Sequence, residues 1–445
     1  MSRNGTGTYT LPAGNPVVTG TTISSTWANT SLSDIATALT QSLAKDGQTV
    51  PTANIPLGGF KITGLGAPTT AGDALAYGSS LGAVTATTGT FSGNVQMASA
   101  NGGQLAGLRN KIINGNMGIF QRGAAAVTTS GSYGPADRWA TTAIGDTFSA
   151  TQGSFVSGDT LYDTGGAQFF TTIAVTSVLA NTNACIFRQL IEDVRLLAGQ
   201  TVTVSFWAKV ASGTSSIAVS VDQFFGAGGS PSAQASGTGQ AQALTTTWAQ
   251  YTKTFAVPSI NGKTIGTTAN TSCTLLNFWL DAGSDFSGTP NRAASIGQSS
   301  KTVSIAQVQL EVGPVATPFE QRPIGMELAL CQRYYYRIVA GTTLGVLANG
   351  FVQTNATYKG IGNFPVPLRT VPLALETTGV IADYGWNGTV AVVNTVLPAF
   401  NSRTNQYMWQ VDNTTPASLV PGHGGSMSLG STANAATFLA WSAEL

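Results

Sequence analysis

Apolar and polar residues alternate in short runs along residues 110–323. TVTVSFWAKV (201–210), SIAVSVDQFF (216–225), QYTKTFAVP (250–258), SCTLLNFWLDA (272–282) and KTVSIAQVQLEVG (301–313) each carry the period of two of a strand with one buried face. Gly, Ser and Asn turns separate the runs. Seven or more such strands predict an antiparallel sandwich of jelly-roll type, the largest core in the chain. RQLIEDVRLLAGQ (188–200) is its one helical-looking insert, expected to lie across one end.

Upstream the pattern thins. Residues 1–28 are rich in Thr, Gly and Pro and read as extended coil. SLSDIATALTQSLAKDG predicts one helix over residues 31–46, with Ser31 at the N-cap, Asp34 three residues on and Gly47 as the stop. Leu32, Ile35, Leu39 and Leu43 make one narrow apolar stripe, which needs either a neighbouring domain or copies of the same helix to cover it. Residues 51–82 hold a strand-like FKITGL and a brief helix near Asp73–Tyr77. Residues 83–109 are small and polar, and bury too little to fold alone. They read either as a disordered linker or as a thin stalk whose strands pair between chains.

After ATPFEQRP the chain continues through IGMELALCQRYYYRI (324–338) into more strand-and-turn sequence. Prolines at 365, 367, 372, 398, 416 and 421 oppose helices, so residues 324–445 predict a second, smaller β-domain. The 445 residues exceed what one core usually serves, so several units are expected.

Composition narrows the function. Charged residues are 9% of the chain, against roughly 25% in an ordinary soluble domain. Twenty Lys and Arg against 19 Asp and Glu give a net charge of +1, with no basic run, which argues against a nucleic-acid partner. The single histidine, His423, makes histidine metal sites and His-based triads unexpected, and in GHGG it reads as solvated. Cys185, Cys273 and Cys331 read as buried small hydrophobes, or as one Cys185–Cys273 disulfide plus a spare thiol. The N-terminus has no signal-peptide pattern, and no apolar run approaches the roughly 20 residues that span a bilayer. Membrane insertion and ordinary secretion are therefore not expected.

NKIINGNMGIFQRG (110–123), followed by ADRWA (136–140), resembles the start of a carbohydrate-binding-module-like sandwich common in the tail fibres of tailed bacteriophages. VQLEVGPVATPFEQRPIGMELALCQRYYYR (308–337) is similar to the close of that domain and is the most distinctive match. Residues 7–66 resemble the virion-attachment end of such fibres, and TATTGTFSGNV (85–95) their shaft. The resemblance covers roughly residues 1–340. It implies a mainly β homotrimer, made in the host cytoplasm and mounted on the virion. Its N-terminal region (1–82) would dock on a tail or tail-adaptor protein, and its far end would meet a host surface glycan. Asn110–Gly123 is then expected to be the first strand of the sandwich, with a turn at Asn114–Gly115 and Ile112, Ile113 and Phe120 as core anchors.

The chemistry fits binding better than catalysis. A glycosidase needs only two carboxylates, but nucleophile elbow, phosphate loop, HExxH and CxxC patterns are all absent, so no enzyme and no cofactor are expected. The rival readings are a capsid-mounted or adaptor fibre without receptor contact, and a surface-polysaccharide depolymerase. Aromatic rings stack on the apolar faces of sugars, so Trp139, Trp207, Trp248, Tyr251 and Trp279 are weighed in the sandwich, each against a core role. Alternation puts Trp207 and Phe206 on opposite faces. Asp137 and Arg138 read as a pair beside a buried Trp139. Asp281 and Asp285 suggest either a structural calcium ion or plain turns. The strongest glycan candidates are Tyr384, Trp386 and Asn387 in ADYGWNG, and Tyr407 and Trp409 in RTNQYMWQVDN, both read as exposed loops. Tyr334, Tyr335 and Tyr336 are read as packing between chains at a threefold axis, as is the stripe Leu32, Ile35, Leu39 and Leu43.

Overall fold

The computed structural model describes residues 13, 18–40, 108–288, 290–341, 345–388, 391–416, 418–429 and 436–445. It divides into two compact units, Met1–Asn94 and Val95–Leu445. FKITGL, the brief helix near residue 75, nearly all of the expected stalk and Leu43 lie outside the described residues. No helix among the described residues is long and apolar enough to cross a membrane.

In the first unit, helix α1 (Ser25–Thr40) starts well before the expected Ser31. The cap is Ser24, whose hydroxyl accepts the Trp27 amide at 3.1 Å while its carbonyl accepts the Ala28 amide. Ser31 lies buried inside the helix. The Ser/Thr-rich sequence stays helical because Thr30 and Thr37 return their hydroxyls to the Thr26 and Ser33 carbonyls. Leu32 and Leu39 are 64% and 66% exposed, and Ile35 is half-buried. Of the stripe's described residues, Leu32 and Leu39 are bare within one chain.

The second unit begins with the sandwich. Its strands are β1 (Ala140–Ile144), β2 (Thr147–Ser154), β3 (Phe169–Thr176), β4 (Ala184–Ile191), β5 (Thr201–Val210), β6 (Ser215–Phe224), β7 (Gln240–Leu244), β8 (Ala249–Ala256), β9 (Cys273–Ala282) and β10 (Lys301–Val312). They form two five-stranded antiparallel sheets, in the orders β1-β4-β9-β6-β7 and β2-β3-β10-β5-β8. The alternating runs located five of these strands to within two residues. Between the sheets lie Phe206, Phe278, Phe187, Ile305 and Leu310, all fully buried, with Phe206 edge-on to Phe278 at 5.0 Å. Each such side chain contributes about 1.5–3 kcal/mol by leaving water.

Two local expectations give way. Residues 188–200 contain no helix: the first four residues finish β4 and the rest form turns over one end. Val194 and Leu197 mimicked helical spacing, but both are buried from those turns. Residues 110–123 are not a strand either. Positive φ at Asn114 and Met117 winds the segment, yet it hydrogen-bonds to β10 along its far half. Lys111 donates to the Leu310 carbonyl at 2.8 Å, and Val308 donates to the Gly115 carbonyl at 2.9 Å. A register shift in β10 between Ala306 and Gln309 turns that edge towards the segment. A Cβ on Gly115 would sit 2.2 Å from the Val308 oxygen, so only glycine fits. Ile112 and Met117 are fully buried, Phe120 packs against the core, and Ile113 is only half-buried.

What is fastened here is the sandwich's beginning to its close. Glu320 accepts the Asn110 amide at 2.8 Å, and the Glu327 carboxylate accepts the Asn114 amide. Arg322 donates to the Ile112 carbonyl at 2.9 Å and also pairs with Glu327.

Beyond the sandwich come helices and strands that the prolines alone did not resolve. With the single turn α2 (Thr160–Asp163) already passed, α3 (Ile324–Gln332) is a true helix in IGMELALCQ. Then follow β11 (Tyr335–Val339), β12 (Val346–Thr354), β13 (Thr357–Asn363), β14 (Glu376–Thr377), β15 (Tyr384–Asn387), β16 (Ala391–Val393), β17 (Ala399–Phe400), β18 (Met408–Thr414), β19 (Gly424–Leu429) and β20 (Phe438–Ser442). A three-stranded sheet, β11-β20-β14, faces a seven-stranded one, β16-β15-β19-β12-β13-β18-β17. Between them lies a core of Tyr358, Tyr384, Trp386, Trp409 and Trp441. All three cysteines are free and buried, so the Cys185–Cys273 disulfide is not formed.

Candidate functional site

The core just described removes most of the expected sugar platforms. Tyr384 is wholly buried and Trp386 and Trp409 are 2% exposed, because β15 and β18 turn these rings inward. Trp409 stacks 4.6 Å from Trp441, and a Cβ on Gly362 would lie 2.3 Å from its ring. Trp139 is likewise core, stacked on Phe187 at 4.7 Å, with its indole N–H donating to the Asn114 carbonyl. Asn387 and Tyr407 are exposed, but three strands separate β15 from β18. At about 4.8 Å per strand they stand roughly 19 Å apart and do not make one site.

The tyrosine run also packs within the chain. Tyr334 and Tyr335 are buried where the C-terminal sheets meet the sandwich. The Arg122 guanidinium lies 3.6 Å over Tyr335, whose hydroxyl donates to Glu376 at 3.0 Å, and the Tyr334 hydroxyl donates to Glu192 at 2.9 Å. Tyr336 is half-buried and stacks against Trp441. The expected threefold packing of the three tyrosines gives way to intrachain contact. Asp137 and Arg138 do not pair with each other: Asp137 takes two bonds from Gln121, and Arg138 pairs with Glu444. Burial pushes the Asp137 carboxyl above its ordinary range.

Asp281 and Asp285 part company. Asp285 is exposed in a short turn, whereas Asp281 is buried and accepts the Ser177 hydroxyl at 2.8 Å and the Ser299 amide at 2.6 Å. It faces Asp146, whose carboxyl is pushed up to about 6 by burial first and by the Asp281 charge second. Among the described residues no three His, Cys, Asp or Glu side chains gather as metal ligands.

The site that remains lies on the outer face of the sheet β2-β3-β10-β5-β8. Because Phe206 points into the core, its neighbour Trp207 points out, opposite Gln250, and the next rung pairs Ser205 with Thr252. Trp207, Gln250 and Thr252 floor a groove of about 620 Å³. One wall is the turn at Thr164–Gly165, tied to the sheet by the Gln307 amide, which donates to the Gly165 carbonyl. The other is a strap, residues 316–321. Glu311 holds the strap by accepting the Thr317 amide at 2.8 Å and its hydroxyl at 2.7 Å, and Gln309 accepts the Glu320 amide at 2.7 Å. The buried Glu311 charge is thus met by hydrogen bonds from the strap. None of the described lining residues carries a charge.

Trp248 lies on this face next to the groove. It wedges 5.1 Å from Phe155 and 5.2 Å from Phe170, with Lys209 over its ring. Trp279 belongs to the opposite sheet and is covered by Phe286 and Arg292. Tyr251 is half-buried against the core. The alternation separated Trp207 from Phe206 but did not say which faced out, and it did not place Trp248. It missed Gln250, Thr252 and Gln307, although the first two stand on the polar phase of QYTKTFAVP. Nothing in VGPVATPFEQ marked it as a strap.

Residues 146–271 match a family model described as a carbohydrate binding domain. No curated protein matches the chain. Among solved structures, the enzymatically active domain of tailspike protein 4 from bacteriophage CBA120 is 17% identical, over 46% of this chain and 21% of that one, with a TM-score of 0.27. A CBM4 structure is 16% identical over 45% of this chain and 97% of its own, at 0.25. The family 11 carbohydrate-binding module from Clostridium thermocellum, in complex with a mixed-linked tetrasaccharide, is 10% identical over 44% and 99%, at 0.26. The chain spans about a fifth of the tailspike. The chain is thus a mainly β protein with a carbohydrate-binding-domain match across seven strands of its sandwich.

Proposed function

We propose that this protein is a structural and receptor-binding tail fibre of a tailed bacteriophage, which adheres to a host-surface glycan through the groove on its sandwich. The observation that carries the glycan reading is Trp207. An aromatic ring is displayed on an uncharged floor of amides and hydroxyls, within the segment matched as a carbohydrate binding domain. The ring supplies an apolar face for a sugar, while Gln250, Thr252 and Gln307 supply donors and acceptors for its hydroxyls. The groove binds and does not cleave.

The fibre is a homotrimer made in the host cytoplasm and carried on the virion, docked through its N-terminal region on a tail or tail-adaptor protein. The resemblance of residues 7–66 and 308–337 to such fibres supports this, as do the bare leucines of α1, which copies of the same helix would cover. Three weak sites per fibre, on several fibres, raise avidity without new contacts.

The test uses the full chain, labelled and applied to bacterial cells and to an array of bacterial surface polysaccharides. Trp207→Ala is expected to weaken binding about thirtyfold, and Tyr407→Ala to leave it unchanged. Undiminished binding by Trp207→Ala would remove the groove from the reading.

A further inference from the structure

The groove has two walls that meet beside Trp207. On the β10 side, Phe155, Leu161 and Ala167 pack down on Ala306, the residue beside Trp207 in the sheet. The Gln307 bond to Gly165 seals the turn that follows. Below Trp207 the strap crosses the sheet, from the Pro314 carbonyl, which accepts the Thr254 hydroxyl at 3.3 Å, to Glu320, which accepts the Asn110 amide at 2.8 Å. The strap cannot be a loose lid. Gln309 and Glu311 beneath it are buried, and its removal would take two of the three hydrogen bonds from the buried Glu311 carboxylate, leaving only the Gln309 amide.

The β8 side differs. Among the described residues β8 is the outermost strand of its sheet, and Gln250 and Thr252 on it are exposed. A linear chain lying across the sheet could enter over β8 and reach Trp207, but it would then meet the α2 turn, with the strap alongside. Along that path the wall beyond Trp207 stops the chain.

We propose that the groove receives the end of a glycan chain, its terminal sugar on Trp207, and not an internal stretch. The inference rests on the glycan-binding reading above and adds the position on the polymer that is recognised. The uncharged lining suits a neutral terminal sugar, because a carboxylate or phosphate brought there would lose its hydration without meeting a cation.

Chain ends can be counted. Each polysaccharide that the full-length protein binds is partially hydrolysed to a series of mean lengths, and the protein bound at saturation per gram of polymer is measured by titration calorimetry. End recognition predicts that this amount doubles with every halving of mean length, and that short oligosaccharides compete as well per mole as the intact polymer. Capacity that stays constant per gram, or affinity that falls steeply as chains shorten, would overturn the inference and leave glycan binding standing. If no polysaccharide binds, intact or hydrolysed, the glycan reading itself fails, and end recognition with it. Trp207→Ala and, on the exposed outer strand, Gln250→Ala locate the effect. Both should weaken binding to intact and hydrolysed chains by the same factor, and unchanged end binding in both would overturn the assignment to this groove.

Discussion

The guanidinium of Arg138 lies 3.5 Å over the ring of Tyr334, inside the junction between the sandwich and the C-terminal sheets. Arg138 is 1% exposed and also pairs with Glu444, while Arg369 donates to the Ala443 and Glu444 carbonyls at 2.8 and 2.7 Å. The last strand's end is thereby fixed to the sandwich by charges that water does not reach. Breaking one partner of a buried pair costs roughly 3–5 kcal/mol. Arg138→Met is expected to lower stability by an amount in that range, and to make residues 324–445 digestible before the sandwich. Denaturant titration and limited proteolysis, read by mass spectrometry, check both.

Trp207 presents the complementary case, an aromatic whose loss should spare the fold. It is half-buried against the small cluster of Phe155, Leu161, Ala167 and Ala306, outside the main core, so Trp207→Ala should cost less stability than a main-core truncation while weakening glycan binding by about 2 kcal/mol, near thirtyfold. Trp207→Phe should recover part of it. Thermal melts beside calorimetric titrations separate the two effects.

Asp146 gives a pH dependence whose sign is set. Its carboxyl rises to about 6 in the fold, above the ordinary carboxylate value, because burial and Asp281 disfavour its charge. The folded protein therefore holds the proton more tightly than the unfolded chain. The stability from that proton is full below about pH 4 and is lost as pH rises through 6. Asp146→Asn keeps an acceptor for the Val178 amide. It should match the natural protein at pH 4 and be the more stable of the two at pH 7.5. A variant equally stable, or less stable, at pH 7.5 contradicts the expectation.

Gly115 tests the closure of the sandwich. Its missing Cβ leaves room for the Val308 carbonyl, so Gly115→Ala must push β10 and the leading segment apart. A loss of about 3 kcal/mol is expected. Gly118→Ala has open space around its added carbon and serves as the control.

The leucine stripe of α1 tests the homotrimer. Leu32→Asp with Leu39→Asp changes two exposed positions, so the single chain should fold as before. Light scattering after size exclusion should then show smaller assemblies than the natural protein forms. An unchanged mass would remove α1 from the assembly.

The record of the candidate residues follows one physical division. Where a strand has one wet and one dry face, a period of two reports burial. TVTVSFWAKV and KTVSIAQVQLEVG were therefore read to within a residue, and Phe206 and Trp207 were sorted to opposite faces. ADYGWNG and RTNQYMWQVDN misled because Gly, Asn and Gln around an aromatic look like an exposed loop. In the fold Gly388 leaves room for Trp386, and Gly362, on another strand, leaves room for Trp409, so both rings enter a second core. NKIINGNMGIFQRG misled differently: its apolar residues are buried, but from a wound segment whose partners, Glu320 and Glu327, lie about two hundred residues away.

The sequence by itself determined the β-class, five of the ten sandwich strands, the low charge of the chain and an apolar stripe on one helix. These follow from local periodicity and composition, which each short segment carries alone. Only the tertiary structure decided which aromatics are core and which face water, that residues 316–321 wall one side of the groove, and that Arg138 is buried against Tyr334. Those outcomes depend on which distant segments cover a given side chain, and coverage is a property of the packed chain, absent from any window of it.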